Sequence, residues 1–285
     1  MTAGDWRATL APKLGGSVLS LDWRGQPVFR PTPDGASDIL ETACFPLVPY
    51  ANRIADGRFV FEGRPVQLPV LDRFAPHAIH GEGWLSSWTV ESHAPTEVEM
   101  TMDWAGQPDG WPWRWFARQS VSLSSEGLQI GLSVTNTGED TMPAGLGLHP
   151  YFHRYPDSRL TLPAKEVWIT DARQIPERLA PAAEVADWSN GVDLADAPFV
   201  DHAYAGWSGE AFLNGGGRYV TLTAVAAARW SQVYMPVDAD FCCVEPVTHR
   251  PDAHNAPLGE GDGLVGLKPS ETHSLSIKIG AVQLS

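Results

Sequence analysis

The sequence of 285 residues is poor in cysteine, in basic charge, in long apolar runs and in helical patterning. Its 3 cysteines are Cys44, Cys242 and Cys243. An odd number with two adjacent does not make a disulfide framework. If Cys242 and Cys243 lie on a strand, they face opposite sides of it. Lys and Arg number 20 against 34 Asp and Glu, a net charge of −14. Such a chain repels phosphate backbones and anionic lipid, so neither nucleic acid nor a membrane surface is an expected partner. No run approaches the roughly 20 apolar residues of a membrane span. The opening Met1-Thr2-Ala3-Gly4-Asp5-Trp6-Arg7 lacks the basic-then-apolar layout of a signal peptide. A cytoplasmic protein is the expectation. The 27 glycines and 24 prolines punctuate the chain too densely for a helical bundle or coiled coil.

What is present is a packed core with a period of two. Hydrophobic residues make up 43% of the chain and 12 residues are tryptophan, which excludes disorder. Leu19, Leu21 and Trp23 alternate with polar residues, as do Phe59 and Phe61. Val98, Met100, Met102 and Trp104 repeat the pattern, and so do Leu128, Ile130, Leu132 and Val134. Each run predicts a strand with one buried face. Turn clusters such as Arg24-Gly25, Glu62-Gly63 and Ser124-Ser125-Glu126-Gly127 separate them. Short connections imply antiparallel pairing. Ser37 to Glu41 reads as one helical turn, Ala224 to Ala228 is ambiguous, and Pro181 to Pro198 reads as a long surface loop. One all-β domain over residues 1–285, a large antiparallel sandwich or a barrel, accounts for the whole chain.

Five segments carry groups with chemistry. In Asn52-Arg53-Ile54-Ala55-Asp56, Arg53 is either a surface ion pair with Asp56 or a fixed guanidinium facing substrate oxygens. In His77-Ala78-Ile79-His80-Gly81-Glu82-Gly83-Trp84, the two glycines would let the backbone approach a ligand. The His77/His80 spacing alone is a weak metal signal. Pro150 biases His149 towards extended backbone and ends regular pairing there, which could display the imidazole at a strand end. Alone, His149 reads first as a core histidine with a backbone partner. Glu245 follows four apolar residues and precedes Pro246, which is expected to stop the strand right after it. A carboxylate there is either an exposed strand end or a desolvated base with a raised pKa. Asp201-His202 is unspecific by itself. No phosphate-cradling glycine loop, dinucleotide fingerprint or Gly-x-Ser-x-Gly elbow is present.

In order along the chain, these segments resemble the aldose 1-epimerase (galactose mutarotase) family. Asn52-Arg53-Ile54, His80-Gly81, Gly147-Leu148-His149-Pro150-Tyr151-Phe152, Val200-Asp201-His202 and Glu245-Pro246 are similar to its motifs, and the histidine-proline segment is the most specific. Gly81-Glu82-Gly83-Trp84 after His80 departs from the two consecutive glycines of many members and resembles a shorter bacterial branch. The resemblance implies a galactose mutarotase-like antiparallel supersandwich and an isomerase that interconverts the anomers of a free aldose. It implies Glu245 and His149 as catalytic base and acid, and Asn52, Arg53, His80 and Asp201 as sugar contacts, with no metal or cofactor. Trp84, beside the His80 loop, is the aromatic expected to stack on the sugar's C–H face. The alternatives are a hexose-6-phosphate 1-epimerase, a glycoside hydrolase using Glu245 with Asp201, and a non-catalytic sugar-binding protein. The acidic balance favours neutral sugars over sugar phosphates.

Overall fold

A computed structural model describes residues 1–225, 227–256 and 261–284. The period-two runs become strands with one buried face. Trp115–Ser124 alternates buried and solvent-facing residues along its length, and Gly127–Asn136 does so with few exceptions. Every helix among the described residues is a three-residue 3-10 turn. Ile39–Glu41 is one of them, closed by a reciprocal capping box between Asp38 and Glu41. Glu62 and Gly63 both have positive φ, 48° and 79°. That is the geometry a two-residue hairpin turn requires between Arg58–Phe61 and Arg64–Gln67.

Two large antiparallel sheets dominate. The nine-stranded sheet runs in the order Thr89–Ala94, Glu97–Trp104, Trp115–Ser124, Gly127–Asn136, Thr272–Gln283, Arg218–Ala224, Glu210–Gly215, Arg159–Thr161 and Val192–Asp193. The late strand Thr272–Gln283 lies between strands drawn from the middle of the sequence, so the sheet is completed only by its C-terminal segment. The eight-stranded sheet orders Pro176–Pro181, Glu166–Thr170, Val200–Ala205, Trp230–Met235, Phe241–Val247, Gly147–Leu148 and Pro46–Leu47, with Tyr151–His153 also paired to Phe241–Val247. Inner-face residues of both sheets, among them Met100, Ile130, Leu275, Val233 and Val244, share one buried apolar cluster. Burial of this cluster is the main favourable term in the fold. The alternation expected at the cysteine pair is observed. Cys242 belongs to the shared core, and Cys243 to a second cluster on the opposite face of the same strand.

Two expectations need correction. Pro181 to Pro198 is mostly irregular, but Val192–Asp193 adds an edge strand and Trp188 is buried in the core. Pro246 does not end a strand. Phe241–Val247 continues through it, and Glu245 sits inside the strand at 2% exposure. Ala224 closes the strand Arg218–Ala224, while Ala226 in the ambiguous alanine run lies outside the described residues.

Candidate active site

The outer face of the eight-stranded sheet builds the site by register. Tyr151 pairs with Cys243 and Gly147 with Val247. The intervening His149-Pro150 step makes no ladder pair, yet the shared register sets His149 opposite Glu245. On the far side of Glu245, Gln232 is its direct partner. On the far side of His149, the imidazole stacks on Phe45 with ring centroids 4.6 Å apart, and the His149 N–H donates to the Phe45 carbonyl at 3.0 Å. Gln232, Glu245, His149 and Phe45 thus form one row across the strands. The adjacent row is Asp201, Tyr234, Cys243 and Tyr151. Side chains two residues apart on a strand share a face, which is why both rows look the same way.

One wall of the cleft comes from a separate small ladder, Arg53–Ile54 with Ala78–Ile79. Asn52 and His80 flank it, both with positive φ, 60° and 64°. For residues other than glycine that conformation is held against a local cost. Here reciprocal hydrogen bonds hold it. The Asn52 N–H donates to His80 Nδ1 at 3.1 Å, and the His80 N–H donates to the Asn52 carbonyl at 3.1 Å. With Nδ1 accepting, the His80 proton is on Nε2, so the ring is a fixed donor. Asn52 Oδ1 accepts from the Arg53 N–H at 2.8 Å. The Arg53 guanidinium reaches across to Asp201 at 3.3 Å, and Gln232 donates to the other Asp201 oxygen at 2.6 Å.

These residues line a cleft of about 420 Å³ together with Arg30, Phe74, Tyr151, Phe199, Tyr234 and Phe241. Its size is that of a small-molecule site, and it combines apolar walls with convergent polar groups. A larger groove of about 1070 Å³, bordered by Lys13, Pro33, Asp34 and Trp88, contains no imidazole and only those two ionisable side chains.

The electrostatic centre is the contact of His149 Nε2 with Glu245 Oε1 at 3.3 Å. Burial pushes the Glu245 carboxyl well above its ordinary range, with Asp201 adding to the rise and Arg53 opposing it. Burial pushes His149 down to about 3. Desolvation penalises each charge, so burial favours the neutral forms, a protonated carboxyl beside an unprotonated imidazole. His80 is likewise held well below its ordinary value by burial, with the nearby His149 and Arg53 acting in the same direction.

The structure therefore brings Asn52, Arg53, His80, His149, Asp201 and Glu245 into one cleft. It does not bring Trp84 there. The Trp84 indole is fully buried, donates to the Gly81 carbonyl at 2.9 Å, and meets His80 edge-on with centroids 5.3 Å apart. It supports the histidine from behind, and the aromatic rings facing the cleft are Phe74, Tyr151, Phe199, Tyr234 and Phe241. The glycines around Glu82 also serve the protein's own packing. A Cβ on Gly81 would lie 2.5 Å from the Val48 carbonyl oxygen, and one on Gly83 would lie 2.3 Å from the Val48 side chain. His77 does not line the cleft. Its Nδ1 accepts from the Asp56 N–H, and its Nε2 contacts the Arg173 carbonyl. Asp56 pairs with Arg173 and leaves Arg53 to Asp201.

Sequence reasoning missed Arg30, Gln232 and Tyr234 as cleft residues. Arg30 donates to the Leu40 and Thr42 carbonyls and lies over the Tyr151 and Phe241 rings. No local motif marks it. Gln232 was within reach, since an alternating reading from Tyr234 places both on one strand face.

A family model described as aldose 1-epimerase matches residues 4–280. Among curated proteins, the uncharacterized protein YphB of Escherichia coli K12 is 30% identical over 284 residues, covering 93% of each chain. The uncharacterized protein YihR of the same organism is 25% identical, covering 98% of this chain and 91% of its own. A solved Escherichia coli K12 structure, provisionally designated an aldose 1-epimerase, superposes with a TM-score of 0.90 at 27% identity, covering 100% of this chain and 98% of that one. A galactose mutarotase-like protein from Clostridium acetobutylicum shares the fold with a TM-score of 0.89 at 21% identity, covering 100% and 94%.

Proposed function

The chain belongs to the aldose 1-epimerase family, and from that premise we propose that it is an isomerase interconverting the α and β anomers of a free aldose. The observation that carries the reading is the buried Glu245–His149 contact at 3.3 Å on the floor of a sugar-sized cleft. Anomer exchange removes a proton from the C1 hydroxyl and delivers one to the ring oxygen. Those two oxygens share one carbon, so the groups serving them must be neighbours. Transfer of the carboxyl proton from Glu245 to His149 within the contact gives a carboxylate beside an imidazolium, and that pair meets the demand.

Glu245 takes the hydroxyl proton and His149 protonates the ring oxygen. The C1–O5 bond breaks to give the open-chain aldehyde, the C1 end rotates, and closure on the other face runs the transfers in reverse. The pair begins and ends each cycle with one proton, so no cofactor is required by the balance. The row geometry holds donor and acceptor without loop movement, the preorganisation that proximity catalysis needs. His80 supplies an N–H towards sugar oxygens and Arg53 supplies its guanidinium. Asp201, already accepting from Arg53 and Gln232, retains lone pairs for sugar hydroxyls.

Polarimetry on freshly dissolved α-D-glucose, α-D-galactose and D-xylose tests the proposal. Addition of enzyme is expected to speed the approach to the equilibrium rotation with at least one of them. Rotation that decays at the buffer rate with all aldoses would refute it. Activity confined to phosphorylated hexoses would move the substrate class, and release of reducing sugar from glycosides would move the reaction class.

A further inference from the structure

We propose that the His149–Glu245 contact at the floor of this cleft, with the buried Cys243 thiol next to it, is a binding site for a single Zn²⁺ ion, which excludes the sugar while bound. Cys243 and Glu245 lie two residues apart on one strand face, and the register sets His149 opposite Glu245. One ligand atom from each of the three lies within 4.8 Å of the others, and all three residues are buried. Among the described residues this is the one such trio of histidine, cysteine and carboxylate side chains. Tetrahedral zinc, with bonds of about 2.0–2.3 Å, holds its ligand atoms about 3.3–3.8 Å apart. The His149–Glu245 distance of 3.3 Å already meets that spacing. Side-chain movements of about an ångström bring the sulfur in as well.

The donor set selects the ion. A thiolate with an imidazole and one carboxylate favours zinc over the hard cations magnesium and calcium, which take oxygen ligands. Three protein ligands leave a fourth tetrahedral position for an exchangeable ligand; His149 and Glu245 line the cleft, and the Cys243 thiol is fully buried beside them. Acid–base exchange of anomers assigns the Cys243 thiol no task, whereas its position completes the metal trio. Binding requires the thiol and carboxyl to be deprotonated, so it releases protons and leaves one thiolate and one carboxylate to offset the dication. Glu245 and His149 cannot hold the metal and exchange protons with a sugar at once. Zinc therefore acts as a reversible inhibitor competing with the aldose.

Chelator-treated protein titrated with Co²⁺, a spectroscopic stand-in for zinc, is expected to show a thiolate-to-cobalt charge-transfer band. Added Zn²⁺ should erase the band. Cys243→Ser and Cys243→Ala should lack it, and Cys242→Ser, altered on the core side of the strand, should keep it. In the mutarotation assay Zn²⁺ should raise the apparent KM with kcat unchanged, and a chelator should reverse the effect. Removal of the thiol should weaken this inhibition at least about tenfold. Parent protein without a charge-transfer band overturns the proposal. So do Cys243 variants that fold by circular dichroism and bind cobalt or zinc as the parent does. The cobalt titration needs no turnover, so it is readable whether or not any aldose is epimerised.

Discussion

His249 offers a quantitative test of how the fold holds the Arg53 wall of the cleft. Its Nε2 accepts from the Ala51 N–H at 3.0 Å, and its Nδ1 faces the Arg250 carbonyl at 2.7 Å. A neutral ring with the proton on Nδ1 satisfies both partners. A second proton would set one N–H against another. Burial, together with His273 and Arg250, lowers its pKa to about 4, while the Arg250 carbonyl and Asp262 oppose the shift. The ordinary histidine value is about 6.5. Between those values the unfolded chain binds the proton and the folded chain does not, so stability falls as pH falls. The contribution is fully present above about pH 6.5 and lost as pH drops towards about 4. At pH 5 the loss from this one group is about 2 kcal/mol. With a urea slope of about 3 kcal/mol per molar, that is about 0.7 M in the midpoint. We predict that His249→Gln, which retains a donor and an acceptor, loses about 2 kcal/mol less than the parent between pH 8 and pH 5 in urea titrations. Identical pH slopes for parent and variant would show that His249 does not carry the linkage. Ala51 leads directly into Asn52 and Arg53, so acid loosening here should also weaken sugar binding.

Other outcomes follow from the same geometry. Glu245→Gln and His149→Asn are each expected to lower the polarimetric rate by about 10²–10⁴ while near-ultraviolet circular dichroism is retained; near-parent rates in either would mean the roles are misassigned. Trp84→Phe should lower thermal stability and disturb His80 without removing a sugar contact, so a selective rise in KM at unchanged stability would restore Trp84 to the cleft. Gly145→Ala places a Cβ 1.9 Å from His249 Cδ2 and is expected to destabilise by about 1–3 kcal/mol or more, read by urea titration, with no loss contradicting the tight approach. We read the chain as one domain, which predicts a single calorimetric transition; two resolved transitions would divide it.

The fold was legible because its strands bury one face. Runs such as Leu128 to Val134 follow the pleat directly, and turn chemistry at Glu62-Gly63 marks a hairpin. The site was partly legible, because the motif residues carry functional groups that burial alone does not explain. Trp84 misled because adjacency to His80 in sequence says nothing about which side of the imidazole the indole occupies. Pro246 misled because a proline usually stops a ladder, whereas here the opposing strand is itself interrupted at His149-Pro150. Arg30 was invisible. Its place in the cleft depends on carbonyls at Leu40 and Thr42 and on rings at Tyr151 and Phe241, contacts made only by tertiary folding.

The row Gln232–Glu245–His149–Phe45 ties chemistry to strand pairing. A slip of one residue in Phe241–Val247 would turn Glu245 into the apolar sandwich and bring Val244 to the cleft floor. Such a misfolded molecule would keep most of its sheet content, and His149 with it, but lack the proposed base opposite that imidazole. Specific activity per mole of folded protein thus becomes a measure of registration fidelity, finer than any spectroscopic signal of β-structure. On the proposed function, a preparation refolded from denaturant can be graded by its rate of anomer exchange.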